Sequence, residues 1–82
     1  MISNKPTNMD VQSLIDMCTR KLSQDPNHQR ALLLRASSNV KKQDYDLALK
    51  DIQFLISLNK KNSAAFYLMG CIFEKMNYVN NN

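Results

Sequence analysis

Shifted by 34 residues, the chain falls on itself: Asp10 meets Asp44, Leu22 meets Ile56, Asp25 meets Asn59, Ala31 meets Ala65, Leu34 meets Leu68, Ala36 meets Gly70 and Lys41 meets Lys75. A period of this size belongs to stacked repeats, in which each unit is too small to bury its own apolar face and covers it against its neighbours. Turn chemistry narrows the unit further. One Gly and two Pro among 82 residues cannot make the many reversals of a β-sandwich or a loop-rich fold. The repeated unit is therefore helical.

Apolar spacing places four helices from Met9 onward. Val11, Leu14, Ile15, Cys18 and Leu22 recur on one helical face, and Gln24-Asp25-Pro26-Asn27 ends that segment because Pro disfavours α geometry in the residue before it. A second helix spans about His28 to Lys42, carrying Ala31, Leu32, Leu34, Ala36 and Val40, with Lys41 and Lys42 complementing the dipole at its end. Asp44 stands as N-cap of a third, Tyr45 to about Leu58, with Ala48, Ile52, Leu55 and Ile56 as its buried face. Asn62 or Ser63 caps a fourth, which runs to about Tyr78. The connections are short, and short turns force consecutive helices to lie antiparallel and adjacent. The expected architecture is an all-α row of helical hairpins over residues 9–78, after a flexible polar leader at 1–8 and before a disordered Asn-rich tail at 79–82.

Composition sets the outer bounds. Apolar residues at 44% and charged residues at 22% are ordinary for a globular chain, and 82 residues make one small domain of marginal core size. No apolar run approaches the length of a membrane span, and no basic-then-apolar leader opens the chain. Cys18 and Cys71 form no spaced motif and read as reduced, buried helix residues in a cytoplasmic setting.

The residues resemble the tetratricopeptide repeat family, whose unit is a helix-turn-helix of this period. The complete unit runs from Gln29 to Asn62. The family takes a small residue at its eighth position, where Ala36 and, one unit on, Gly70 stand, and Ala at its twentieth, where Ala48 stands. Asp44-Tyr45-Asp46-Leu47-Ala48-Leu49 matches the family's turn and second-helix opening, and Asp25-Pro26-Asn27 its usual unit ending. Departures are Asn39 in place of a large aromatic, Lys60 in place of Pro, and Leu14 at the small-residue position of the first half-unit. The resemblance covers residues 9–78 as one whole repeat flanked by two half-repeats, and implies a short right-handed solenoid.

It also implies a function: holding a protein or peptide partner in the groove lined by the first helix of each unit. Carried over by position, that groove shows Arg30, Leu33, Leu34, Ser37, Val40 and Lys41 from the complete repeat, and Ala64, Tyr67, Leu68, Cys71, Glu74 and Lys75 from the fourth helix. The mixture of apolar and basic groups suits an extended or helical peptide with acidic character. The plainer reading makes Leu33, Leu34, Leu68 and Cys71 core residues. One branch of the family clamps acidic chaperone tails with Lys, Asn and Arg. Leu34, Leu68 and Ala64 stand at three clamp positions here, and none of them can pair a carboxylate. Because arrays of this family also serve ciliary and cytoskeletal assemblies, those settings are the alternative to the cytoplasm.

The rival class is a basic module that contacts RNA or DNA through Arg30, Arg35, Lys41, Lys42, Lys50, Lys60 and Lys61. Asp44, Asp46 and Asp51 break up that charge, and no exposed aromatic run offers base stacking. Catalysis has less behind it. His28 is the single histidine, no nucleophile–base pair or metal spacing surrounds it, and no glycine-rich loop awaits phosphate, so neither cofactor nor small-molecule substrate is expected. The fourth helix holds a surplus: Phe66, Tyr67, Leu68, Met69, Ile72, Phe73 and Met76 surround most of its circumference. A helix apolar all round is covered on both sides. A continuing repeat array is the first expectation for that cover, and a second copy or another chain the other.

Overall fold

The computed structural model describes residues 10–80, with side chains to residue 77. Four helices follow in order: α1 (Val11–Gln24), α2 (Gln29–Lys41), α3 (Tyr45–Leu58) and α4 (Ser63–Asn80), with no strand among the described residues. The expected all-α class is therefore observed. The backbone at 79 and 80 continues α4, where a disordered tail was expected. The expected leader at 1–8, and residues 81–82 of the tail, lie outside the described residues.

Each helix packs on the next, and α2 also touches α4 past the intervening α3. Among the described residues α1 packs on α2 alone. This arrangement explains a partial miss on α1. Of its five-residue apolar face only Cys18 and Leu22 are buried, while Val11, Leu14 and Ile15 stay half-exposed for want of a second neighbour. By contrast α3 is enclosed on both flanks, so Ala48, Ile52 and Leu55 are fully buried and Ile56 nearly follows. The core joins these to Ala31, Leu32, Ala36, Ala65 and Ile72, with Ile52, Leu55 and Ile72 as the largest fully buried side chains. Removing such a side chain costs about 2–5 kcal/mol, much of the stability available to a domain of this size.

The helix ends show which local chemistry sets the hairpins. Asp10 is extended (φ −72°, ψ 166°) and its carboxylate accepts from the Ser13 N–H at 2.8 Å. His28 caps α2 through its ring Nδ1, which accepts from the Ala31 N–H at 3.1 Å, so α2 begins one residue later than the sequence implied. Asn62 caps α4 in the same way, its Oδ1 accepting from the Ala65 N–H at 3.0 Å. Asp44 differs from expectation: its carboxylate makes no cap bond. The cause lies in how α2 stops. Gln43 takes a left-handed φ of 69°, its N–H bonds the Val40 carbonyl, and the Asp44 N–H bonds the Asn39 carbonyl at 2.9 Å. That pair of reversed bonds is a Schellman ending, and it holds Asp44 at φ −91°, ψ 73°, outside the extended geometry a capping side chain uses. The carboxylate lies instead 3.7 Å from Lys42 Nζ.

Candidate partner-binding site

The contact between α2 and α4, slighter than those between consecutive helices, brings together two helices one 34-residue period apart. The shift of 34 residues then matches Arg30 to Ala64, Leu33 to Tyr67, Leu34 to Leu68, Ser37 to Cys71 and Lys41 to Lys75. None of the expected groove residues is fully buried. Arg30, Lys41, Glu74 and Lys75 are exposed, and Ser37 and Cys71 are half-buried. Leu33 and Leu68 also pack against the core from a half-buried position, so the plainer core reading applies to these two in part. Cys71 was expected to be buried; only Cys18 is. Tyr67 stands 74% exposed, more than any other large apolar side chain described.

Helical spacing puts Tyr67, Cys71 and Glu74 on one stripe of α4. A side-chain hydrogen bond with Cys71, reinforced by the nearby thiol and by Glu74, holds the Tyr67 phenol above its ordinary value of 10.0, so it stays a neutral hydroxyl at physiological pH. Ser37 turns its hydroxyl to the Leu34 carbonyl at 3.0 Å, which leaves its oxygen lone pairs for a partner. On α2 and α4 these groups offer an exposed aromatic ring, a hydroxyl acceptor and exposed cations.

Not all of the expected groove faces α4. Arg30 and Leu34 line a cleft of about 330 Å³ together with His28 and with Met17, Cys18 and Lys21 of α1. The positional frame assigned the groove to first helices alone and so missed Met17 and Lys21. The signal was present: Met17 lies outside the apolar stripe of α1, on a face that its hairpin neighbour cannot cover. Burial pushes the Cys18 thiol above its ordinary value of 9.0, which makes it an unreactive wall of this cleft.

On the opposite side of α2 the sequence reading missed a junction altogether. The Arg35 guanidinium binds Asp51 of α3 through two bonds of 2.7 and 2.8 Å and Thr19 of α1 through a third of 3.1 Å. The hydrogen bond to Asp51 raises the pKa of Arg35 further. A second cleft, about 400 Å³, opens over this junction between Gln12, Leu47 and Lys50. Two of its cations are engaged: Arg35 on Asp51, and Lys42, which donates to Gln12 Oε1 at 2.6 Å and lies near Asp44. Such pairing gives little free positive charge for a phosphate backbone.

Among the described residues no group of three or more His, Cys, Asp or Glu side chains could hold a metal, and no helix is long and apolar enough to cross a membrane. No family model, no curated protein and no solved structure matches this chain.

Proposed function

We propose that this chain is a short tetratricopeptide-like scaffold that holds a segment of a protein partner along the surface made by α2 and α4. One observation carries the reading: two helices one period apart lie against each other although α3 stands between them in sequence. That adjacency creates a continuous face from two equivalent elements, as solenoid recognition requires. Tyr67 supplies an aromatic anchor that costs little conformational entropy on binding, while Arg30, Lys41 and Lys75, exposed on the same two helices, add positive charge alongside Glu74. The partner is then an extended or helical peptide with apolar anchors and acidic neighbours.

Selection from a displayed random-peptide library tests this. Ligands with an acidic-apolar pattern are expected, and Lys41→Glu combined with Lys75→Glu weakens their binding about tenfold, since each reversal removes one exposed attraction and adds a repulsion. The fold persists because both lysines are exposed, with a cost of about 0.5 kcal/mol for reversing Lys41 in the last turn of α2. Unchanged affinity in the double variant removes these lysines from the site. Binding of mixed-sequence RNA that falls with salt at a slope of several phosphates supports the nucleic-acid rival instead.

A further inference from the structure

The α2–α3 seam has a register, and the same register can be read on two surfaces that lack a partner. Arg35 bonds Asp51 across the seam, so antiparallel packing sets Leu32 against Leu55 and Ala36 against Ala48, all four buried. One period of 34 residues on from α2, these positions are Phe66, Met69 and Gly70 of α4; one period back from α3, they are Leu14, Met17 and Lys21 of α1. Among the described residues no second helix lies over either stripe, although Met69 packs in part against the core. Phe66 and Met17 are exposed, Leu14 and Met69 half-buried, and a Cβ built on Gly70 meets nothing within 4 Å.

The two open stripes depart from the closed seam in matching ways. Where the seam holds the Arg35–Asp51 ion pair, α4 and α1 carry Met69 and Met17, apolar on both sides. Where the seam sets Ala36 against Ala48, α4 shrinks to Gly70 and α1 grows to Leu14. Where Leu32 meets Leu55, Phe66 faces Lys21, whose aliphatic stem lies along a ring while its ammonium reaches water. Each change on α4 is answered at the facing height on α1.

We infer that α4 of one copy docks on α1 of another, rebuilding the α2–α3 seam between molecules. The contact is head-to-tail and leaves a free α1 and a free α4 at the two ends, so it propagates as an open array and does not close into a symmetric dimer. It adjoins the proposed peptide-binding face where Arg30 and Leu34 of α2 share a cleft with Met17 and Lys21 of α1, but it is read out by mass against concentration and not by peptide affinity.

Sedimentation of the protein from micromolar to millimolar concentration tests the inference. The average mass rises above the 9.5 kDa monomer and keeps rising with concentration. Met17→Asp and Met69→Arg each weaken association by about tenfold or more, because each puts a charge opposite a methionine. Mixed in equal amounts the two variants associate again, since the new Arg and Asp meet across the seam as Arg35 and Asp51 do within the chain. Gly70→Leu gives a readout that unfolding cannot imitate. Open space surrounds Gly70, so the variant melts no lower than the natural chain, yet its side chain collides with Leu14 of the neighbouring copy and association drops. The inference is overturned by a monomer throughout the range, by a closed dimer indifferent to Met17→Asp, by a mixture that fails to reassociate although both variants are folded by circular dichroism, or by undiminished association of Gly70→Leu. A segment of another protein as the cover of α4 appears as the first of these outcomes.

Discussion

Arg35 grips Asp51 at two points, Nε to Oδ2 at 2.7 Å and Nη2 to Oδ1 at 2.8 Å, and keeps a third donor for Thr19. One guanidinium thus links α1, α2 and α3. The fork geometry matches a carboxylate in a way that lysine does not. The pair is largely shielded, with the Asp51 side chain 10% exposed and that of Arg35 25%. Asp51→Ala leaves a half-buried cation without its partner and lowers stability by about 2 kcal/mol, on the order of 10 °C in Tm for a domain this small. Replacing both residues by Met restores stability to within about 1 kcal/mol, because an apolar pair of similar volume needs no compensation for lost hydration. Thermal melts of the single and double variants check both values. A single variant that melts like the natural chain would show the pair to be a surface decoration.

The α2–α3 turn carries a removable strain. Gln43 sits at φ 69°, a region that costs a residue with a Cβ and not glycine. Gln43→Gly raises stability by about 1 kcal/mol, provided the Schellman ending persists in solution. Denaturant unfolding measures this as a higher midpoint with an unchanged slope. A lower midpoint would mean that the turn is not held in left-handed geometry.

Acid sensitivity is expected at the first helix. The backbone hydrogen bond from Ser13, with a smaller side-chain contribution from the same residue, pulls the Asp10 carboxyl below its ordinary 3.8. A carboxyl held below its unfolded value stabilises the fold at pH above that value, and the contribution disappears as pH falls through the folded value. Asp10→Ala therefore melts lower than the natural chain at neutral pH, and the gap narrows below about pH 4. A gap that stays constant down to pH 2 would remove the cap as its source.

The two thiols should react at different rates. Cys18 is buried and its pKa is raised by that burial, whereas Cys71 is half-buried on the α4 stripe. Since the thiolate is the attacking species, a native-state alkylating agent modifies Cys71 first and reaches Cys18 at the rate of unfolding. Mass spectrometry after proteolysis distinguishes the sites. Equal rates would contradict the packing of α1 on α2.

Helix positions were legible because their causes are local. Pro26 and Asn27 punctuate the first connection, and the spacing of Ala48, Ile52 and Leu55 states which face of α3 turns inward. The Asp44 cap was misread for a reason equally local, though hidden: an aspartate just ahead of an apolar-periodic segment looks like a cap, and only the left-handed Gln43 backbone takes it out of capping geometry. The Arg35–Asp51 bond could not be read at all. Its partners lie on two helices whose mutual rotation depends on packing, and alone each is one charge among many. The candidate groove was legible as to which residues stay accessible. That Arg30 and Leu34 share a cleft with Met17 and Lys21 of α1 depends on how α1 packs on α2, which a positional frame does not contain.

The central claim is that α2 and α4 together present a face for a protein partner. Titration of the isotopically labelled protein with a library-selected peptide, followed by amide chemical shifts, tests it most directly. The account predicts changes concentrated at Arg30, Leu34, Ser37, Lys41, Tyr67, Cys71 and Lys75, with α3 undisturbed on its outer side. Changes confined to the cleft over Arg35, around Gln12, Leu47 and Lys50, would contradict it.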